Sequence, residues 1–255
     1  MNKNELKNLL DKKAAQFNRP DFIAPDPISV PHRFSKSQDI EIAGLFAALL
    51  AWGQRKTIIN NANRLMDLMD GAPYDFICNH KETDRTRFES FVHRTFQPVD
   101  LLYFVEFLQY HYQQHRSLEN LFADGMSENE VHTGPGLAHF HRQFFSLPHM
   151  VRTEKHVQTP DRKSACKRIN LFLRWMVRKD NQGVDFGIWQ GIKPAQLLCP
   201  LDVHVHRTAT ALGLLKRPQS DWQACLELTA KLRKMDPEDP VKYDFALFGM
   251  SIQPL

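Results

Sequence analysis

The chain has 255 residues, of which 42% are hydrophobic, and a formal net charge of +4. That length suits one large domain or two small ones with a sizeable interior. No stretch approaches the roughly 20 apolar residues of a membrane helix, and the opening MNKNELKNLLDKKAAQF is polar where a secretory leader has an apolar core, so a cytoplasmic protein without a membrane partner is expected. Cys78, Cys166, Cys199 and Cys225 are widely spaced and form neither a CxxC pair nor an iron–sulfur run; reduced, partly buried thiols are expected, with no cofactor and no metal. The mild positive charge permits a polyanionic partner without requiring one.

In chain order, Leu6, Leu9, Leu10 and Phe17 recur at helical spacing and predict a first helix over about residues 3–17. Four prolines between Pro20 and Pro31 predict an extended surface connector. Asp39 is expected to cap IEIAGLFAALLAW, which is apolar on nearly every side and therefore predicts a helix buried all round. Gly53 ends that helix, and another is expected from Ile58 to Met69 before a turn at Gly71 and Pro73. Beyond Pro98, VDLLYFVEFLQYHYQQH reads as a helix whose tyrosines Tyr103, Tyr110 and Tyr112 belong to the core more readily than to a base-stacking surface. Residues 124–160 lose periodicity, apart from a short aromatic piece at Phe140 to Phe145, and are expected to form a long irregular loop. No strand is expected.

KSACKRINLFLRWMVR, from Lys163 to Arg178, projects as a helix with two unlike faces. Lys163, Lys167, Arg174 and Arg178 fall in one sector, with Leu171 among them, while Ile169, Phe172, Leu173 and Met176 lie opposite. Solvated cations would explain such a face, and so would contacts to phosphates. After the apolar connector VDFGIWQGI, the segment PLDVHVHRTATALGLL places Asp202 where an extended approach becomes a helix. Trp222 to Met235 reads as an amphipathic helix, and Val241 to Met250 as a last helix that buries Phe245, Leu247 and Phe248; Asp244 on it suits an exposed helical carboxylate more readily than a member of a site.

Asp202 admits three roles. An aspartate ahead of a helix accepts hydrogen bonds from its first free amides. Asp-x-His-x-His also suggests a metal site with His204 and His206, although on a helix only Asp202 and His206 would meet. The third role is catalytic: Lys167 lies 35 positions upstream, and an amine beside a carboxylate suits attack at a sugar carbon with stabilisation of the developing positive charge.

EIAGLFAALLAWGQRKT (Glu41 to Thr57), CKRINLFLRWMVR (Cys166 to Arg178) and LDVHVHRTATALGL (Leu201 to Leu214) together resemble the helix-hairpin-helix DNA glycosylase superfamily. The resemblance implies an all-α, two-lobed fold with a cleft between the lobes. It also aligns Lys167 with a Schiff-base lysine and Asp202 with the aspartate that stabilises the sugar cation or activates the nucleophile. TPDRKSACKR stands where that superfamily carries a glycine-rich hairpin, and it has no glycine. PHRF, LRWMVR, VDFGIW and DPVKYDFALFG look more specifically like a bacterial family of unknown function whose members are distantly similar to those glycosylases.

The expected organisation is a central helical domain over residues 39–201, with residues 1–38 and 202–255 forming a second lobe. The expected activity is cleavage of an N-glycosidic bond in a flipped base of nucleic acid or in a nucleoside. The alternatives are a non-catalytic nucleic-acid-binding module on the same fold and a nucleoside salvage enzyme. Lys167 and Asp202 are the expected catalytic pair, and Trp52, Gln54, Arg174, Arg178 and His206 the expected substrate contacts.

Overall fold

Burial around its whole circumference makes α2 (Ser37–Leu49) the axis of the fold: every residue from Ile40 to Leu49 is buried, Glu41 included. The computed structural model describes residues 2–252, and among these the chain is helical with no strand. α2 begins three residues earlier than expected. Asp39 lies inside its first turn and does not cap it; its carboxylate instead accepts the Tyr74 amide at the start of α4 (Pro73–Asn79). A loop that ends at Gly53 leads into α3 (Arg55–Leu68).

The larger hydrophobic cluster surrounds α2 with α3, α4, α5 (Pro98–Tyr112) and the apolar side of α8 (Lys167–Val177), where Ile169, Phe172, Leu173, Trp175 and Met176 are buried. The aromatic residues of α5 divide: Tyr103 and Tyr112 are buried, whereas Tyr110 is exposed. A second cluster joins α1 (Lys3–Phe17) to α9 (Val203–Ala211), α10 (Trp222–Arg233) and α11 (Tyr243–Ile252) through Leu10, Val205, Leu228 and Leu247. α1 packs chiefly on α11, so the first and last helices meet. The clusters do not divide cleanly by sequence, because Ile28 and Val30 from the first stretch, and Val241 and Phe245 from the last, belong to the larger one.

Two expectations about irregular segments are corrected. The proline-rich stretch is not an extended surface connector: it folds into three single 3₁₀ turns, Pro20–Phe22, Pro27–Ser29 and Pro31–Arg33, and buries Pro27, Ile28, Val30 and Pro31. Each turn starts with proline, whose fixed φ suits a first helical position. Residues 124–160 are not one loop either, because α7 (Gly134–Phe144) follows the short α6 (Asn120–Ala123) and buries Leu137, Phe140 and Phe144. The sequence GPGLAHF hides this helix. Pro135 is tolerated in the first turn, and Gly136 is there because a Cβ would stand 2.7 Å from the Phe122 carbonyl oxygen.

Candidate functional site

α8 carries the site. It is preceded by a turn in which Lys163 (φ 59°) and Cys166 (φ 51°) take left-handed backbone conformations, so Lys163 stands outside the helix and is exposed. Within the helix, Lys167, Leu171 and Arg174 follow at i, i+4 and i+7 and share a face. That face lines a pocket of about 570 Å³. Lys167 is near the mouth, with 26% of its side chain exposed, and Arg174 is near the floor, with 3% exposed. α9 and α11 contribute Asp202, Val203, His204, Val205, Asp244 and Phe248, while the loop between α2 and α3 contributes Trp52 and Gly53 and the start of α3 contributes Arg55. Phe22, Asp26 and Pro27 come from the 3₁₀ turns.

At the mouth, Lys167 Nζ lies 3.9 Å from Asp202 Oδ2 and donates to the Ala51 carbonyl at 3.4 Å. Its neighbour Arg168 donates to the Leu49 carbonyl at 2.6 Å. Both cations thus meet the negative C-terminal end of α2, which holds the start of α8 against it. Asp202 divides its work between its oxygens. Oδ1 caps α9 by accepting the amides of His204 at 2.9 Å and Val205 at 2.8 Å, and Oδ2 faces Lys167. Capping and a place beside the lysine are therefore compatible.

Trp52 is fastened from behind. Asn61 donates to His93 Nδ1 at 2.9 Å, and His93 Nε2–H then donates to the Trp52 carbonyl at 3.3 Å. The Arg94 guanidinium lies 4.8 Å from the indole centroid. Gly53 (φ 107°) makes this possible, since a side chain there would meet Arg94. The indole N–H of Trp52 is buried and has no partner.

At the floor Arg174 is held in an ion-pair network. Nε donates to Asp185 at 3.2 Å, Nη1 donates to Asp244, and Nη2 has no partner. Burial disfavours the charge of Arg174, but Asp185, Asp244 and Asp26 outweigh it and hold the guanidinium firmly protonated. Burial raises the Asp244 carboxyl to about 6, with Arg174 opposing the shift and Asp202 and Asp185 adding to it. Burial also raises Asp26, against the Ile28 amide and the charges of Arg174, Arg55 and Lys167.

Several expected contacts are placed elsewhere. The basic stripe does not form a surface: Arg178 is 3% exposed, lies outside the pocket lining, and pairs with Asp180, Asp185 and Asp239 at 2.6, 3.1 and 2.8 Å. Neither it nor Arg174 is free to meet a phosphate on the outside of the protein. A helical projection sorts residues by angle and is blind to acids arriving from other segments. Gln54 is exposed beyond the lining at the N-cap of α3. His206 is bonded to the Arg217 carbonyl at 3.0 Å and is not among the residues that line the pocket. Asp244, expected on the outside, is 4% exposed at the pocket floor. Val203 is 73% exposed.

Phe22, Asp26 and Phe248 are pocket residues that no reading of the sequence anticipates, and Asp244 is one for which an exposed position is the preferred expectation. A signal existed for one of them: a single acid inside the apolar run YDFALFGM stays there only if the fold supplies a partner. No group of three or more His, Cys, Asp or Glu able to hold a metal occurs among the described residues. The four cysteines are free, with Cys78 partly buried and the others buried. No helix of the described residues is long and apolar enough to cross a membrane.

Residues 26–253 match the family of proteins of unknown function designated DUF2400. The chain belongs to that family. The matched span contains every pocket residue except Phe22, so the pocket is built almost wholly within the DUF2400 region. No curated protein and no solved structure matches the chain.

Proposed function

We propose that this DUF2400 protein is glycosylase-like and cleaves an N-glycosidic bond, its pocket taking a base flipped from nucleic acid or the base of a nucleoside. The observation that carries the reading is the amine of Lys167 standing 3.9 Å from the Asp202 carboxylate at the mouth of a pocket walled by Phe22, Trp52 and Phe248. Aromatic faces hold a base by stacking, and the paired amine and carboxylate then meet the sugar. The neutral amine of Lys167 attacks the sugar C1′ as the C1′–N bond breaks, the base departs with the bonding electrons and takes up the proton that the amine gives up, and opening of the sugar ring then yields the Schiff base that borohydride reduces. Asp202 stabilises the positive charge that develops on the sugar. The likeness to helix-hairpin-helix glycosylases, with a cleft between two lobes, is part of the same reading. It draws support from a pocket walled by the loop after α2, by α3 and by α8 on one side and by α9 and α11 on the other, and from the left-handed residues Lys163 and Cys166 in the turn where glycines would stand.

One observation favours a nucleoside over a polyanion: of the four cations projected onto one stripe, Arg174 and Arg178 are consumed by buried aspartates. A non-catalytic nucleic-acid module needs those cations on its surface and has no need of the Lys167–Asp202 pair. The test is borohydride trapping with panels of nucleosides and base-modified oligonucleotides. Wild type forms a covalent adduct through Lys167, and Lys167→Ala forms none. Base release that survives Lys167→Ala transfers the chemistry to direct water attack, with Asp202 as the essential group. An absence of turnover throughout both panels, with Asp202→Asn changing only thermal stability, leaves Asp202 a helix cap and rejects the enzyme reading.

A further inference from the structure

We infer that Arg174 and Asp26, at the floor of the pocket, read the edge of a base that presents C=O beside N–H, as uracil, thymine, hypoxanthine and guanine do. The inference rests on the proposal that this pocket takes a base. Arg174 is 2% exposed and lines the pocket, and of its three guanidinium nitrogens Nε and Nη1 are engaged while Nη2 has no acceptor among the described residues. An unpaired buried N–H is costly, and a ligand oxygen beside it removes that cost. The oxygen belongs to a neutral carbonyl. Asp185 and Asp244 already pair with this guanidinium and Asp26 adds its field, so a phosphate or carboxylate would bring a further anion to a floor crowded with carboxylates.

Asp26 supplies the complementary half. It is 9% exposed and lines the same pocket, and its Oδ1 accepts the Ile28 amide at 3.1 Å. Its Oδ2 has no hydrogen-bond donor among the described residues and is left to accept from a ligand N–H. The floor therefore carries a donor nitrogen, Arg174 Nη2, and an acceptor oxygen, Asp26 Oδ2, the two kinds of group that a lactam edge needs opposite it. Arg174 lies seven residues beyond Lys167 on α8, a rise of about 10 Å, which leaves room for a base ring between the floor and a sugar held at the mouth. Adenine and cytosine place an amino N–H where the lactam has its carbonyl, and so set donor against donor at Arg174.

Isothermal titration of the full chain with uridine, inosine, cytidine, adenosine and 3-methyluridine tests this. Uridine or inosine is expected to bind at least about tenfold more tightly than the other three, the ratio expected for one mismatched buried hydrogen bond. Asp26→Asn keeps the Oδ1 acceptor for Ile28 and replaces the free oxygen with an N–H donor. Its uridine affinity should fall by about tenfold while cytidine, whose ring N3 is an acceptor, gains on it. A circular dichroism melt of the variant confirms that the fold persists. Equal binding of all five nucleosides, no binding of any, or discrimination unchanged in Asp26→Asn overturns the inference. The two proposals fail separately. Lactam-selective binding without base release rejects the catalytic reading alone, and base release indifferent to the lactam edge rejects the present inference alone.

Discussion

Two buried carboxylates on the same scaffold have opposite fates. Glu41, inside α2, is 2% exposed and accepts from four donors: Tyr112 at 2.8 Å, Ser117 at 2.5 Å, the Leu118 amide at 3.0 Å and the Trp189 indole at 2.6 Å. All four are neutral, none of the five residues lines the large pocket, and the knot ties α2 to α5 and to the segments around Leu118 and Trp189. Asp244, equally secluded, shares Arg174 with Asp185 in a network that leaves the guanidinium Nη2 without an acceptor among the described residues, in a side chain that lines the pocket. A buried polar group whose partners are complete is a structural device, and one whose partners are incomplete next to open space is poised for a ligand.

The largest expected effect falls on the complete site. Glu41→Ala strands four donors in the core and should cost about 4 kcal/mol in urea unfolding, while the surviving folded protein binds nucleosides as wild type does. A loss of binding out of proportion to the loss of fold would erase the distinction between the two carboxylates.

The next effect sharpens the comparison through pH. Burial sets the folded Asp244 carboxyl at about 6 against an ordinary 3.8, so its protonated form is the one the fold prefers. The associated stability is complete below about pH 4 and is lost as pH rises through about 6. Between pH 4 and 7 wild type should therefore lose on the order of 3 kcal/mol more than Asp244→Asn, read from paired denaturation curves. Parallel curves would show that the floor network carries no excess of negative charge.

The smallest effect separates the two oxygens of Asp202. Asp202→Ala should lower stability by about 1 kcal/mol through loss of the α9 cap, whereas Asp202→Asn, which still caps, should leave stability within about half of that. Both should abolish base release if the carboxylate facing Lys167 is the working group. Equal stability losses in the two variants would show that the charge beside Lys167, and not the cap, is what holds the helix.

The helices were legible wherever periodicity was strong: α1 matches the expected bounds, and α2 is buried all round as its composition requires. α7 was obscured because its glycines and proline answer to Phe122 and to a helix start, which no local pattern reveals. At the site, Asp202 could be read as a cap and Lys167 as its neighbour in chemistry from residue type and position, and the two do line one pocket at 3.9 Å. The neighbourhoods of Arg174, Arg178 and Asp244 could not be read in the same way.

What the sequence determined by itself was local: where helices begin, which of their faces are apolar, and which residues cap them, because these depend on neighbours within about four positions. What only the tertiary structure decided was the environment of each charge. Arg174 meets Asp185 across 11 positions and Asp244 across 70, and Arg178 meets Asp239 across 61. Those separations convert an apparent cationic surface into a neutralised interior. Electrostatic energy depends on distance and burial, which the order of residues along a chain does not specify.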